Sequence, residues 1–372
     1  MRKKILSLWF VLLSHPAFSE GDISGFTKLH SLTYRFHASD DIYRDIYQIN
    51  RLTYSNDFFS DMFFEASCEL TFVKLNHSYN FDIDRPYRIG DPKHIAWKND
   101  PSDIFLLQNP DRFSLTWNFA RAAVTVGRQQ IAFGSGRTVN PTDIFTPLRY
   151  SVIDTEVRQG VDAIRFRQQL GDMGQSDFGL ILGKDADEKE SGVYLLTRLI
   201  LGDFEVQPVV AGFKQAVLVG LDMTTTGLGA SIWSESALVK PSGEEPYLRS
   251  VIGAERQIHQ SAVMFAEYHY NGPGKRRSEV KQKFAFEEGG VFLSGRHYID
   301  IGSSLQLSSL YQLTGSIKHN MEDHSYFLSG ILEWNAMEDI YLNAGLFYGA
   351  GKSETEFGQE AKTLFARARY YF

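Results

Sequence analysis

The sequence predicts an all-β protein: an antiparallel transmembrane β-barrel of about 18 strands, with 16 strands as the alternative. The first observation is alternation, since Met62, Phe64 and Ala66 share one face of a segment whose other face carries Phe63 and Glu65. The second is that such segments run about 9–12 residues, which suits a tilted strand crossing a bilayer. The third is that connections alternate between short and long, as they do in membrane barrels.

Composition excludes several other classes of protein. The 372 residues include 43% hydrophobic and 22% charged side chains, which fits neither a disordered chain nor a helical membrane protein. No segment reaches the roughly 20 apolar residues of a membrane-spanning helix. A single cysteine, Cys68, excludes a disulfide framework and a cysteine-rich metal site. The sequence carries no recognisable metal or cofactor motif, so we expect neither.

The first element, residues 1–19, has the pattern of a signal peptide that is cleaved on secretion. Basic residues open it, an apolar run at 5–13 follows, and small residues at Ala17 and Ser19 precede the expected cut. Removing it takes away three positive charges and changes the formal charge from −7 to −10. We therefore expect residues 20–372 to form one exported, acidic barrel domain, a poor candidate for nucleic-acid binding.

The mature chain is predicted to consist of strands joined by turns and loops, without a second domain. Alternation is strongest in 62–72, 340–348 and 364–372, whereas weak turn signals within 217–239 and 295–317 leave 16 strands open. An even number of strands would bring both ends of the chain to the side of the short turns. The predicted strands lie near 23–36, 43–55, 60–73, 112–119, 121–132, 160–170, 177–184, 192–201, 204–214, 217–225, 228–239, 247–258, 261–271, 295–304, 306–317, 325–336, 339–349 and 361–372.

The polar face of these strands is expected to line the interior of the barrel, because the apolar face must meet lipid. Arginines and carboxylates both occur on that face, so the lumen would carry charges of both signs. They could be structural ion pairs that brace the wall, or they could select polar and charged solutes. The predicted pore-lining residues are Arg121, Arg165, Arg167, Arg198, Arg367, Arg369, Glu65, Glu69, Glu267, Asp300 and Glu333.

The connection 133–159 differs from the other long loops, because it combines turn residues with many apolar side chains. Gly134 and Pro147 favour turns, whereas Ile144 and Phe145 require burial. The barrel interior is the available place, so we predict that this loop folds inward, with packing over the rim as the alternative. The residues expected at the narrowest point of the lumen are Arg137, Asp143 and Arg149.

Two segments carry a family resemblance. Residues 127–134 read GRQQIAFG and residues 158–165 read RQGVDAIR, and together they resemble the alginate-export-like group of outer-membrane barrels, which includes porin-like relatives. The final strand, with its last aromatic residue Phe372, resembles the closing strand of outer-membrane proteins. Loop 133–159 is similar in position to the inward-folded third loop of general porins. These resemblances imply a location in the outer membrane of a Gram-negative cell.

We expect a porin-like channel for passive diffusion of small polar or charged solutes, and not an enzyme. No catalytic residues are predicted, because neighbours such as His324 and Ser325 point to opposite faces of a strand. Two alternatives stay open: an exporter of an anionic polysaccharide, and a barrel that holds a periplasmic protein partner. The expected contacts are outer-membrane lipid, lipopolysaccharide, and small-molecule or oligosaccharide solutes, with a homo-oligomer left open.

Overall fold

The computed structural model of the chain describes the barrel wall and parts of its loops. The predicted signal peptide, residues 1–19, lies outside the described residues. Within the described part of the chain, no helix has the length and apolar character needed to cross a membrane. The described residues are 21–37, 40–77, 85–90, 92, 95–99, 104–147, 150, 153–154, 156–274 and 289–372.

Nineteen strands within these residues form one antiparallel sheet, and a single 3-10 turn occupies Lys184–Ala186. Alternating apolar and polar residues produce the strands, because each strand has one face toward the interior and one away from it. The bounds are β1 (Asp22–Arg35), β2 (Tyr43–Phe58), β3 (Met62–Leu75), β4 (Ile95–Asn99), β5 (Ile104–Asn118), β6 (Ala122–Gln129), β7 (Val161–Leu170), β8 (Gly174–Leu182), β9 (Gly192–Leu201), β10 (Phe204–Phe213), β11 (Ala216–Gly227), β12 (Ala230–Pro241), β13 (Tyr247–His259), β14 (Ala262–Asn271), β15 (His297–Gln306), β16 (Tyr311–Asn320), β17 (Tyr326–Met337), β18 (Ile340–Ala350) and β19 (Lys362–Tyr371).

The sheet closes on itself because its first and last strands pair. Ten residue pairs join β1 to β19, and the N–H groups of Gly25 and Phe372 donate to each other's carbonyl at 2.8 and 3.0 Å. Closure leaves no strand edge exposed to lipid. Eighteen strands form the wall, since β3 pairs directly with β5 and the five-residue β4 pairs with β5 alone. The predicted 18-stranded antiparallel barrel is confirmed.

Short and long connections lie at opposite ends of the barrel. At one end, adjacent strands are joined by two to four residues, as between β9 and β10 or between β17 and β18. The other end carries the long connections, which include 76–103, 130–160 and 272–296. Both described ends of the sheet, near Asp22 and Tyr371, lie on the side of the short turns, as an even number of strands requires.

One predicted loop is partly strand. The predicted strands at 60–73 and 112–119 leave residues 74–111 as a loop. In the structure β5 already begins at Ile104, and the register shifts where Pro110 lies opposite Cys68. Proline cannot donate to the ladder, and a bulge accommodates it without ending the strand.

Apolar residues face outward and polar residues face inward along the wall. On β1, Leu29 is exposed whereas Lys28 and His30 are buried. On β3, Phe72 is exposed and Ser67 is buried. This is the arrangement of a barrel that meets lipid on its outside and has a polar interior.

The long connection 130–160 between β6 and β7, hereafter the inner loop, packs on the inward faces of the strands. Its residues Phe133, Ile144 and Phe145 are buried in one apolar cluster with Tyr194 of β9 and with inward residues of β10–β13. The rings of Phe133 and Tyr194 have centroids 4.8 Å apart. Burying each such side chain stabilises the fold by about 1.5–3 kcal/mol, so the loop has an apolar core of its own.

Candidate functional site

Two buried carboxylates of the wall hold the inner loop, and the first is Glu235 in the middle of β12. It accepts hydrogen bonds from the backbone N–H of Gly136 at 3.2 Å and of Thr142 at 2.6 Å, and from the Thr142 hydroxyl at 2.6 Å. Gly134 is needed beside it, because its φ is +89° and a Cβ there would lie 2.5 Å from the Glu235 carboxylate. The turn at Gly134 is therefore shaped around a buried carboxyl group of the wall.

The second carboxylate is Glu267 in β14. It accepts the backbone N–H groups of Arg137 at 2.8 Å and Thr138 at 3.2 Å, together with the Thr138 hydroxyl. The indole N–H of Trp233 donates to it at 2.9 Å. Each of these two side chains accepts at least three hydrogen bonds from the loop, so Glu235 and Glu267 anchor it to the wall.

A third anchor lies on the opposite part of the wall. Lys28 of β1 is fully buried, and its ammonium contacts the carboxylates of Asp154 at 2.8 Å and Glu156 at 2.7 Å. Arg369 of β19 lies 3.7 Å from Glu156. Because Glu235 and Lys28 are both in the middle of their strands, the loop is attached to two sides of the barrel at mid-height.

The pKa of Asp154 gives a pH prediction. Burial opposes its ionisation, but the hydrogen bond and the charge of Lys28 outweigh burial and hold the pKa below the ordinary 3.8. Such a group stabilises the fold above its unfolded pKa, and the contribution is lost as the pH falls through the folded value. We expect the unfolding temperature of the protein to decrease when the pH is lowered below about 3.8. The decrease should be smaller in Asp154→Asn. Thermal unfolding followed by circular dichroism checks this, and parallel curves would contradict it.

Asp143, predicted at the narrowest point, is instead part of the base of the loop. It is fully buried, accepts the backbone N–H of Thr146 at 3.0 Å and pairs with Arg158 at 2.6 Å. Burial raises the pKa of its carboxyl, and Thr146 and Arg158 oppose that rise. A carboxylate without solvent exposure cannot meet a solute, so its role is to close the loop. The sequence does not distinguish a residue at the narrowest point of the lumen from a residue at the base of the loop.

The other two residues predicted for the narrowest point have different outcomes. Arg137 is half exposed and pairs with Glu255 of β13 at 2.9 Å. It borders a cavity of about 430 Å³ that is also lined by Trp233 and Glu205. Arg149 lies outside the described residues.

A larger open space, hereafter the arginine cavity, has a volume of about 690 Å³. It lies between the inward faces of β2, β3 and β5–β7 and the end of the inner loop at Glu156 and Val157. Its lining is mostly polar and carries charges of both signs. The lining residues are Arg51, Thr53, Asp57, Phe63, Glu65, Arg112, Ser114, Thr116, Asn118, Thr125, Gln129, Gln130, Glu156, Val157, Arg165 and Arg167.

The arginines of this cavity differ in their partners. Arg51 pairs with Glu69 and Asp111, both at 2.9 Å. The Nε of Arg165 donates to Asp177 at 3.0 Å. Arg167 makes no ion pair with a described residue, and its Nε has no hydrogen-bond partner among them. The cavity therefore contains cations held in ion pairs and one cation, Arg167, that lies opposite Asp177 in the strand register without an ion pair to a described residue.

The predicted pore-lining residues fall into three groups. Five border open space: Glu65, Arg165 and Arg167 in the arginine cavity, and Glu333 and Arg369 in a cavity of about 390 Å³. Four make interior contacts: Glu69 with Arg51, Glu267 with the loop, Asp300 with Lys318 at 2.8 Å, and Arg367 with Asn343 at 3.2 Å. The remaining two are Arg198 and Arg121.

Arg198 and Arg121 show how register decides the direction of a side chain. Arg198 is on the same face of β9 as the buried Tyr194, four residues away, so it is directed inward. Arg121 was predicted inside a strand that begins there, but β6 begins at Ala122. It lies in the turn between β5 and β6, one residue before the strand, and is exposed, so its place in the pore lining stays a prediction.

The interior residues that were not among the predicted site residues include Asp111, Arg112 and Glu235. The bulge opposite Cys68 adds one residue to β5, so neighbouring Asp111 and Arg112 are both buried inside. Alternation assigns neighbours to opposite faces and therefore cannot find such a pair. Glu235 did carry a signal, since it alternates with outward residues in β12.

The residues of the sequence resemblance have structural contacts. Arg128 of β6 donates to the carboxylate of Asp162 at 2.7 Å and to the carbonyl of Pro110 at 2.8 Å. Arg158 donates to Asp143 and also to the carbonyl of Thr146 at 2.8 Å. These contacts join β5, β6 and β7 to the base of the inner loop. The residues of the two segments therefore have a structural role that requires no bound polysaccharide.

Comparison with solved structures gives the fold type. The barrel is similar to a BenF-like porin from Pseudomonas fluorescens, with a TM-score of 0.63 and 7% identity over 96% of this chain and 99% of that one. It is similar to OccAB4 of Acinetobacter baumannii, with a TM-score of 0.59 and 11% identity over 96% of this chain and 100% of that one. It is also similar to OprD of Pseudomonas aeruginosa, with a TM-score of 0.56 and 8% identity over 96% of this chain and 95% of that one.

At these identities the likeness concerns the fold alone. The sequence matches no protein-family model and no curated protein. The resemblance to the alginate-export-like group is not supported, because the similar solved structures named above include a BenF-like porin and the outer membrane protein OprD. The chain has the fold of an outer-membrane porin barrel.

Proposed function

We propose that the protein is an outer-membrane channel through which small polar or charged solutes diffuse passively. The observation that carries this proposal is the arginine cavity, an open polar space of about 690 Å³ inside a closed barrel. Interior charges are stable only with water or partners, so an interior of this kind favours hydrated solutes over apolar ones. The fold shared with porins is consistent with it.

In this proposal the inner loop limits the size of the solutes. Glu235, Glu267 and Lys28 hold it across the interior, and its apolar residues fill the side next to β9–β12. The space left open lies next to β2–β7, where the wall carries Arg51, Arg165 and Arg167. Solutes would therefore pass along one side of the barrel.

The direct test is reconstitution of the purified protein into liposomes. We expect swelling with small neutral and charged sugars, and a loss of swelling as the sugar grows beyond the size of the cavity. The absence of swelling with every small solute would contradict the proposal, and a co-purifying periplasmic protein would then favour the scaffold alternative. The same purified protein provides a test of the predicted cleavage, with Glu20 as the expected first residue.

Arg167→Gln is expected to shift the ion selectivity of the channel toward cations. The reason is that Arg167 borders the cavity without an ion pair among the described residues, so its positive charge contributes to the field that a passing ion meets. Reversal potentials across a planar bilayer in a salt gradient measure the shift. The matched control is Arg256→Gln, which changes an exposed arginine of β13 whose register partner is the outward Met264. Equal reversal potentials for the two variants would contradict the lumen role of Arg167.

A further inference from the structure

The outward face of the barrel carries four cations on four adjacent strands, at the end with the long connections. They are Lys362 of β19, Arg35 of β1, Arg44 of β2 and Lys74 of β3, hereafter the rim cations. Each lies two or six positions along its strand from an exposed apolar residue. Each rim cation therefore shares a face with that residue. Those apolar side chains are Leu364, Leu29, Ile46 and Phe72.

The strand register brings two of these charges directly together. Arg35 is the cross-strand partner of Lys362. Residues directly opposite each other in an antiparallel pair have Cβ atoms about 4.5–5.5 Å apart, and like charges there are destabilising. A barrel that keeps such a pair on an exposed face gains stability from an anion that binds both.

The other two rim cations continue the patch diagonally. Arg44 lies opposite Thr33, two residues from Arg35, and Lys74 lies opposite Ile46, two residues from Arg44. Diagonal neighbours of this kind are about 7–8 Å apart, within reach of long side chains. The four charges therefore form one continuous basic surface across four strands.

The described residues around this surface carry fewer negative charges than positive ones. Among them no ion pair involves a rim cation, and the four cations outnumber Asp40 and Asp41, the two carboxylates in the connection between β1 and β2. The nearby Asp45 of β2 is buried on the inward face, where its carboxylate accepts a hydrogen bond from Tyr47 at 3.0 Å. The ammonium of Lys362 lies over the ring of Tyr348 at 4.7 Å, an aromatic contact that leaves its charge available.

The apolar residues below the rim cations indicate what binds there. Leu364, Ile46 and Phe72 each lie two residues from a rim cation, toward the middle of the barrel. Cations at the edge of a lipid-facing apolar band lie at head-group level, where anionic lipids attract each lysine or arginine. A soluble anion would gain nothing from the apolar band, whereas a phosphorylated lipid contacts both surfaces.

We propose that the rim cations bind the phosphate groups of an outer-leaflet glycolipid, lipopolysaccharide, with its acyl chains against the apolar band. This inference rests on the proposed outer-membrane location, with the long connections outside, and does not depend on conduction. The lipid would be part of the stable barrel, because it compensates the repulsion between Arg35 and Lys362.

The experiment measures binding of purified rough-type lipopolysaccharide to the detergent-purified barrel. We expect Arg35→Gln, Arg44→Gln, Lys74→Gln and Lys362→Gln together to weaken binding at least about tenfold. Dephosphorylated lipopolysaccharide should bind the parent barrel at the weakened level, and inorganic phosphate should not compete at matched ionic strength. The control is Lys240→Gln with Arg256→Gln, which removes two exposed outward cations of β12 and β13 outside the patch.

Three results would overturn the proposal: equal binding by parent and four-fold variant, equal binding of the dephosphorylated lipid, or competition by inorganic phosphate. Single-channel conductance of the variants distinguishes a failure of this proposal from a failure of the proposed channel function. The rim cations face away from the lumen, so we expect the four-fold variant to conduct like the parent. Loss of lipid binding with unchanged conductance supports the rim site, whereas absence of conductance in the parent contradicts only the channel.

Discussion

Replacing both anchor carboxylates, Glu235→Ala with Glu267→Ala, is expected to raise the single-channel conductance several-fold. Four backbone N–H groups of the inner loop, in Gly136, Arg137, Thr138 and Thr142, donate to these two side chains. Each such hydrogen bond contributes about 0.5–1.5 kcal/mol, and each buried N–H group left unsatisfied costs about 1–3 kcal/mol. The loop would then leave the wall and widen the lumen. Planar-bilayer recordings measure the change.

The control for this prediction is Glu205→Ala. Glu205 is also an interior carboxylate, and it lines the same cavity as Arg137, but its described hydrogen bond comes from Gln207 of its own strand. We expect the conductance of this variant to stay close to that of the parent. A folded double variant, verified by its heat-dependent gel mobility, with parental conductance would contradict the anchoring role of Glu235 and Glu267.

Lys28→Met is expected to destabilise the barrel by about 3 kcal/mol, at the lower end of the range for breaking a buried ion pair. The ammonium is fully buried between Asp154 and Glu156, so its loss leaves two carboxylates without their main partner. Glu156 is 39% exposed, and water compensates part of its loss. Urea unfolding in detergent measures the difference, and protease cleavage near residue 156 reports release of the loop.

Two variants distinguish the buried charge from a general loss of lysine. Lys28→Arg keeps the charge and should retain most of the stability. Lys240→Met removes an exposed lysine of β12 and should leave the unfolding midpoint nearly unchanged, because exposed charges contribute about 0–1 kcal/mol. If Lys28→Met unfolded at the midpoint of Lys240→Met, the third anchor would have no role in stability.

The interior contacts suggest why the loop needs charged anchors. Apolar packing against Tyr194 fixes one side of the loop, but its turn at Gly134–Thr142 exposes backbone N–H groups that require acceptors. Wall carboxylates supply these acceptors without adding another segment to the interior. The space next to β2–β7 thereby stays open, which is the feature on which the proposed channel depends.

Some of the site could be predicted from the sequence and some could not. Arg165, Arg167 and Glu65 border the arginine cavity because their strands are regular, so a count of two along the chain gives the correct face. Arg121 was predicted inside a strand but lies in the turn before it, because the sequence does not locate the start of β6 to within one residue. Asp111 was missed because a bulge interrupts the alternation.

The sequence by itself determined the class of fold, since alternation, strand length and connection length are local properties that a closed barrel must satisfy. It also indicated that the loop around Ile144 and Phe145 needs burial. Only the tertiary structure decided which charges are anchors and which border open space. Glu267 and Glu65 occupy equivalent inward positions of their strands, but the inner loop covers one and leaves the other open. That difference arises from contacts more than 100 residues apart in the chain, such as the 130 residues between Arg137 and Glu267, and no local pattern records them.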